Sequence, residues 1–405
     1  MYIKRKIEDE ILRYLERPEI IAVIGPRQCG KTTTLKKIYG SLKNAVFLTF
    51  EDQEALSLFE NDIKQFSATY LNGRDYVFID EFQYAENGGK LLKYLYDTYQ
   101  GRVKIIISGS SAVDLTVKAV KYLVGRIFIF EMLPFDFEEY LYFRDGNYAG
   151  IYKQNKIDLK KENNIRLADE QMSVLRGYSE EYAVWGGYPA VVLSKTQEEK
   201  REILKNIYNT YFLRDVKDVL GLIDDYKLNR LIKALALQCG QMIEYNELNR
   251  ISEYSYPTLK KYLNFLQKTY ICGFVIPYYK NKRKEIVKNQ KVYFFDTGLR
   301  NCIVNDFRLP NARPDGGSLL ENVCWEQFVK NKHLPQYWRD KNKNEVDFII
   351  DVGEGKMVAI EVKMNLNKCR FPAAFAQNYR GALMYCLFLY GRGEKRKNDL
   401  FIPLL

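Results

Sequence analysis

Residues 20–32 read Ile20-Ile21-Ala22-Val23-Ile24-Gly25-Pro26-Arg27-Gln28-Cys29-Gly30-Lys31-Thr32. An apolar run enters a Gly-x-x-x-x-Gly-Lys-Thr loop, and a helical stretch from Thr32 to Tyr39 leaves it. That order predicts strand, phosphate-binding loop and helix. Gly25 and Gly30 let backbone N–H groups turn toward phosphate oxygens. Lys31 is long enough to reach the β and γ phosphates, and the Thr32 hydroxyl is suited to Mg2+. The helix N-terminus adds its partial positive charge at the same anion. Gly25, Pro26, Arg27, Gln28, Cys29, Gly30, Lys31, Thr32 and Thr33 are the expected nucleotide-binding residues, and ATP with Mg2+ the expected ligands.

Further apolar runs follow at Ala45 to Phe50, Tyr76 to Ile79, Val103 to Ile107 and Ile127 to Phe130, with helical segments between them. Alternating strands and helices predict an α/β fold built on a parallel sheet with helices on both faces. Tyr76-Val77-Phe78-Ile79-Asp80-Glu81 ends an apolar strand in two acids. In a phosphate-loop enzyme the first acid assists Mg2+ and the second prepares the attacking water, so Asp80 is the expected metal residue and Glu81 the expected general base. The next strand ends in Ser108-Gly109-Ser110-Ser111, where Ser108 or Ser110 is a candidate sensor of the γ-phosphate. Arg126, before Ile127, is a candidate for stabilising transition-state charge, within the chain or across a subunit boundary; the alternative is a structural ion pair.

Composition narrows the choices. The chain has 405 residues, enough for two or three domains, with 47% hydrophobic and 28% charged residues as in ordinary globular proteins. No apolar run approaches the roughly 20 residues that span a bilayer. The N-terminus lacks a signal-peptide core and reads as an amphipathic helix with Ile3, Ile7, Ile11, Leu12 and Leu15 on one face, so a cytoplasmic location without a membrane partner is expected. Seven scattered cysteines without a Cys-x-x-Cys pair argue against a disulfide framework and a cysteine zinc site. The single histidine, His333, excludes His-based metal clusters and triads. A net charge of +11 fits a DNA partner.

The phosphate loop, Ile79-Asp80-Glu81, Ser108 to Ser111, and Gly125-Arg126 followed by Phe130-Glu131-Met132-Leu133-Pro134-Phe135 together resemble an AAA-type ATPase family of bacteria and archaea. Its members carry a C-terminal domain of the DUF4143 type. The resemblance continues through Gly186-Gly187-Tyr188-Pro189 and Tyr211-Phe212-Leu213-Arg214-Asp215-Val216 and covers nearly the whole chain. It implies an ATP-binding enzyme and says little about its biology.

Residues 141–165 are polar and without periodicity, and read as a loop or insertion. Downstream, Tyr226 to Gln238 is amphipathic, Tyr245 to Ile251 is a short helix, and Ser255-Tyr256-Pro257 starts a third. Leu259, Tyr262, Leu263, Leu266 and Tyr270 recur at helical spacing and leave Lys260, Lys261, Asn264, Gln267 and Lys268 outside. Gly273 to Pro277 and Lys291 to Phe295 are candidate wing strands around a basic tip of Lys280, Lys282, Arg283, Lys284 and Lys288. Three helices and a basic hairpin predict a winged helix-turn-helix, with DNA contact or protein docking as alternative uses.

Late in the chain, Asn344 to Ile350 carries alternating acids, and Gly353-Glu354-Gly355 turns it into Met357-Val358-Ala359-Ile360-Glu361-Val362-Lys363. Strand alternation puts Glu361 and Lys363 on one face, opposite Val362. The order Asp347…Glu361-x-Lys363 resembles the PD-(D/E)xK nuclease core. That resemblance implies Mg2+ held by Asp347 and Glu361, a further acid from the preceding helix in Glu321, and Lys363 acting on water or developing charge. Trp325 and Phe328 are expected to pack that helix on the sheet. Asp296-Thr297-Gly298-Leu299-Arg300 is a further family-like string that reads as a turn or helix cap.

The expected organisation is a P-loop ATPase domain over 1–140, a helical lid or linker over 141–220, a winged helix-turn-helix over 221–295 and a nuclease-like α/β domain over 296–405. Three functions fit: an ATP-regulated DNA-processing enzyme, a non-cutting ATPase switch with a degenerate nuclease-like domain, and a ring-forming homo-oligomeric remodeller with Arg126 acting in trans.

Overall fold

A computed structural model describes residues 2–110, 122–160, 167–210, 225–279, 289–353, 355–365, 369–390 and 399–401. The chain divides into two compact units. One is Met1–Pro134 with Asn209–Leu222 and Lys268–Tyr270; the other is Phe135–Tyr208, Ile223–Gln267 and Ile271–Leu405. The string Tyr211 to Val216 and the basic tip Lys280 to Lys288 lie outside the described residues.

In the first unit, strands β1 (Ile20–Ile24), β2 (Ala45–Thr49), β3 (Tyr76–Asp80), β4 (Lys104–Gly109) and β5 (Ile127–Glu131) form one sheet in the order β2-β3-β4-β1-β5. Every neighbouring pair is parallel. Near-continuous apolar strands are what a sheet covered on both faces requires. Ile20, Ala22, Ile24, Val77, Ile79, Ile105 and Ile107 face a core with Phe59, Leu92 and Leu95. Their alternates Ile21, Val23, Phe78 and Ile106 face Ile7, Ile11, Leu35 and Ile38. The N-terminal helix, Lys6–Arg13, buries Ile7 and Ile11 as its spacing predicts, whereas Leu12 is turned outward and 43% exposed.

The second unit opens with helices rather than the loop expected over 141–165. Phe137–Arg144 is followed by Gly146–Asn155, whose first turn is capped by Asp145 accepting from Asn147 N and Tyr148 N. That second helix shows no amphipathic signal because it buries only Ala149 and Tyr152. Helix Asp169–Trp185 carries Glu181, which pairs with Arg144, accepts from Lys200 Nζ at 2.7 Å and from Tyr140 OH at 2.8 Å. Gly186 and Gly187 then meet the distant string at Asp296. Gly187 N donates to Asp296 Oδ2 at 2.7 Å, and a Cβ on Gly186 would sit 2.2 Å from Asp296 Oδ1. Asp296 also caps helix Thr297–Val304 through Leu299 N, so the cap expected there is correct and holds a long-range contact besides.

Helices Asp225–Leu237, Tyr245–Ser252 and Tyr256–Lys268 precede an antiparallel pair, β6 (Cys272–Val275) and β7 (Lys291–Phe294). In the third helix Leu259, Leu263 and Leu266 are buried, while Lys260, Lys261, Asn264, Gln267 and Lys268 are exposed. Tyr270 is not on this helix; it follows the C-terminus with φ 61°. The outer edge of β7 is occupied from two sources. Gly240 N donates to Val292 O at 2.8 Å, and beyond it the Asn322 side chain accepts from Phe294 N at 2.6 Å and donates to Phe294 O at 2.9 Å.

Helix Gly316–Lys330 leads into β8 (Gln336–Arg339), β9 (Glu345–Gly353), β10 (Lys356–Asn365), β11 (Leu383–Tyr390) and β12 (Asp399–Phe401), ordered β12-β11-β10-β9-β8. The pairs β8/β9 and β9/β10 are antiparallel, and β10/β11 and β11/β12 are parallel. Phe328 packs on this sheet, edge-on to Phe348 at 5.4 Å. Trp325 stacks instead on Tyr293 of β7 at 5.7 Å. No disulfide framework was expected, but one bridge is present: Cys369 and Cys386 are bonded, with Cα atoms 6.1 Å apart, a separation ordinary for a bridge, and the other five cysteines are free thiols.

Candidate nucleotide site and a second carboxylate cluster

The phosphate loop leaves the carboxyl end of β1 and enters helix Lys31–Tyr39 through Gly30, whose φ is 99°. A left-handed residue there favours glycine. Gly25 is required for a different reason: a Cβ at this position would lie 2.0 Å from Met132 O, at the end of β5. The loop is braced from behind. Arg5 donates from its guanidinium to Cys29 O at 2.8 Å and to Leu133 O at 2.6 Å, and Cys29 Sγ donates to Met132 O at 3.1 Å. Cys29 is fully buried, so its thiol serves the loop's packing and is closed to an oxidant. Lys31 Nζ rests on Gly25 O at 3.0 Å and Pro26 O at 2.8 Å. Gln28 and Thr33 are exposed, and Pro26 is buried.

Because β4 is inserted between β1 and β3, Ser108 stands between the loop and Asp80. Thr32 Oγ1 donates to Asp80 Oδ2 at 2.6 Å, and Ser108 Oγ donates to Asp80 Oδ1. A hydroxyl beside a buried carboxylate is a hard oxygen donor set, which suits Mg2+. Ser108 thus orients the acid, a role apart from the sensing expected of it. Ser110 takes part in a second group: Gln83 Nε2 donates to Glu81 and to Ser110 Oγ at 3.2 Å, and Ser110 N donates to Gln83 Oε1 at 3.3 Å. Glu81 itself is left-handed, φ 53°, which turns it out of the line of β3. Neither Gln83 nor Arg5 stands out in the sequence, since no motif spacing marks them.

Arg126 is at the wrong end of the sheet for a role within its own chain. Its carbonyl accepts from Ile20 N at 2.8 Å, at the start of β1, whereas the loop follows the end of that strand. Five residues of strand separate the two by roughly 16 Å. The guanidinium pairs with Asp97 at 3.2 Å, and both groups are substantially exposed.

The second site lies in the C-terminal sheet. One residue beyond the last antiparallel pair, Ile360↔Phe348, stand Glu361 on β10 and Asp347 on β9. Lys363 Nζ lies 3.0 Å from Asp347 Oδ2 and 2.6 Å from Glu361 Oε2, and Val362 N donates to Asp347 Oδ2 at 2.8 Å. Glu361 Oε1 is buried without a hydrogen-bond partner. Burial and the facing Asp347 push the Glu361 carboxyl well above the usual range. Burial opposes the charge on Lys363, but Asp347 and Glu361 outweigh it and hold the ammonium charged. An orphaned buried oxygen beside a second carboxylate fits a hard cation. Glu321 does not join them. Its Oε2 accepts from Tyr293 OH at 3.1 Å and lies 3.8 Å from Lys291 Nζ, which is 2.5 Å from Glu345 Oε1. Among the described residues no three His, Cys, Asp or Glu side chains gather as a metal-holding group. Lys291 and Tyr293 are additions to the expected set. Their signal was a polar pair at i and i+2 in an otherwise apolar strand.

Residues 17–141 match the family model of an AAA domain, and residues 316–394 match a domain of unknown function, DUF4143. The chain joins an AAA-type P-loop ATPase domain to a DUF4143 domain. Between them, residues 176–309 match a further domain of unknown function, DUF8612. An uncharacterized protein of Methanocaldococcus jannaschii is 27% identical over 381 residues, covering 90% of this chain and 78% of its own length. An uncharacterized protein of Haemophilus influenzae is 23% identical, covering 93% and 91%. Among solved structures, a Walker-type ATPase of Pyrococcus abyssi superposes with a TM-score of 0.50 at 14% identity, covering 75% of this chain and 96% of that one. That likeness extends the fold beyond the AAA domain. Among the described residues no helix is long and apolar enough to cross a membrane.

Proposed function

We propose that the AAA domain hydrolyses ATP with Mg2+ and that its nucleotide state controls engagement of DNA by the rest of the chain. The observation that carries the first part is the Thr32–Asp80–Ser108 arrangement beside the loop. Thr32 and Asp80 would hold Mg2+, which when bound draws negative charge from the phosphates and eases departure of the leaving group. Lys31 exchanges its contacts with Gly25 O and Pro26 O for phosphate oxygens. Glu81, oriented by Gln83, takes the proton of the attacking water. Glu81→Gln is expected to retain ATP while losing turnover about 10²–10⁴-fold. Lys31→Ala is expected to lose ATP binding. Full turnover by Glu81→Gln would remove this assignment.

The helices Asp225–Leu237, Tyr245–Ser252 and Tyr256–Lys268 with the β6/β7 pair have the element order of a winged helix, and the lysines of the third helix form its outer face. The C-terminal sheet, with its acid–acid–lysine cluster, has the pattern of a nuclease-like core. Asp347 and Glu361 would hold a divalent ion, which when bound polarises a phosphodiester and supplies a reactive water. Lys363, between those acids, steadies the negative charge that develops on phosphate. The test is cleavage of plasmid and linear DNA with Mg2+ or Mn2+, with and without ATP, beside Asp347→Ala. Cleavage lost in that variant supports a nuclease. Absence of cleavage with ATP-dependent DNA binding favours the second reading, a non-cutting ATPase switch, which the engagement of Glu321 by Lys291 and Tyr293 supports.

A further inference from the structure

Strand β7 sends two polar side chains toward Glu321 and Glu345, beside the Asp347–Glu361 pair. Lys291 Nζ is 2.5 Å from Glu345 Oε1 and 3.8 Å from Glu321 Oε2, and Tyr293 OH donates to that same Glu321 oxygen at 3.1 Å. Lys291 is 2% exposed and Tyr293 is fully buried. A buried ion pair of this kind is seldom worth more to stability than an apolar packing of the same volume, so its presence invites another explanation. Hard divalent cations prefer several oxygen ligands. Asp347 and Glu361 offer two carboxylates, one with its inner oxygen orphaned. Glu321 stands on helix Gly316–Lys330, which packs against β10, the strand that carries Glu361, yet its carboxylate is engaged by Lys291 and Tyr293.

We propose that Lys291 is a tethered cation that competes with a divalent metal ion for Glu321. This rests on the reading of Asp347 and Glu361 as a metal site. With Lys291 in place, two carboxylates are left for the ion; without it, Glu321 becomes the third. Lys291 is thus a positioning residue that sets metal affinity without touching the metal, and Tyr293 assists by fixing the Glu321 rotamer. Glu345 anchors the ammonium from the other side, and Arg339, 3.3 Å from Glu345, closes the outer rim.

The experiment is Mn2+ titration of the full chain without nucleotide, followed by the electron paramagnetic resonance of free Mn2+. Lys291→Met is expected to tighten binding by about tenfold or more, the scale on which groups around the ligands tune metal affinity. Adding Glu321→Gln to that variant returns affinity to the wild-type value. Tyr293→Phe moves it in the same direction by less. A Lys291→Met protein with a native melting curve and unchanged or weaker Mn2+ binding overturns the proposal. If that variant fails to fold, Tyr293→Phe decides, and unchanged or weaker binding there overturns it. Binding that responds to Asp347→Asn but to neither Lys291 nor Tyr293 removes this inference alone. Wild-type protein whose Mn2+ binding ignores Asp347→Asn removes the metal-site reading with it.

Discussion

Thr32 and Asp80 are joined by a 2.6 Å hydrogen bond although they come from different strand–loop junctions, and Ser108 holds the other oxygen of the same carboxylate. Asp80 is therefore pre-aimed at the place where Mg2+ would sit. Ser108→Ala should leave ATP affinity measured without Mg2+ unchanged while raising the Mg2+ concentration needed for half-maximal turnover. The check is a Mg2+ titration of ATPase rate. An unchanged Mg2+ requirement would return Ser108 to the role of γ-phosphate sensor.

Gln83 bridges Glu81 and Ser110. Loss of this restraint should misplace the base rather than weaken the nucleotide. Gln83→Ala is expected to lower kcat by about tenfold with little change in ATP affinity, the pattern of a positioning defect. Steady-state kinetics beside equilibrium nucleotide binding separates the two effects.

For Arg126, the pairing with Asp97 is a surface contact, so Arg126→Ala should change stability by less than about 1 kcal/mol. Its ATPase rate should fall only if the residue serves a neighbouring protomer. Mixing Lys31→Ala with Arg126→Ala protein then restores partial activity, whereas no recovery on mixing leaves Arg126 a structural residue.

Acid should loosen the helices around Glu181. Burial raises the pKa of this carboxyl, but hydrogen bonds from Arg144, Lys200 and Tyr140 outweigh it and bring it down to about 2. A depressed carboxyl contributes stability that is whole above its unfolded value of about 4.5 and is lost as pH falls through that interval. Glu181→Gln should cost roughly 3 kcal/mol at pH 7 and very little at pH 2. Denaturation midpoints of the two proteins across that range supply the check; a pH-independent difference would dismiss the ion pairs as the cause.

Lys260 and Lys261 lie on the exposed face of helix Tyr256–Lys268. If that face meets phosphates, replacing both by alanine should reduce the salt slope of DNA binding by about 2 without altering sequence preference. Affinity indifferent to salt from about 50 mM upward would speak against DNA contact altogether.

What could be read in the chain beforehand was what local sequence controls. The strand, loop and helix at 20–39 are contiguous, and β3 and β4 are apolar runs ending in recognisable polar residues, so their positions followed from spacing. Helix Gly146–Asn155 escaped because burying only Ala149 and Tyr152 leaves no periodic signal. Pairings across long separations were not legible either. Gly187 and Asp296 are 109 residues apart. Each was noticed as part of a string, but nothing in either string names the other. The carboxylate cluster was half legible for the same reason: Asp347, Glu361 and Lys363 share a hairpin, whereas Lys291 and Tyr293 arrive from a strand paired elsewhere.

Asn322 deserves a last consequence. By accepting from Phe294 N and donating to Phe294 O, its amide does for β7 what a neighbouring strand would do, continuing the row begun at Gly240. Phe294 and Asn322 are both fully buried, so this stretch of the edge lies in the interior and must find its partners within the fold. Replacing Asn322 by an apolar residue would therefore leave a buried N–H and a buried C=O without partners at once, a cost borne by the fold and not by either candidate site.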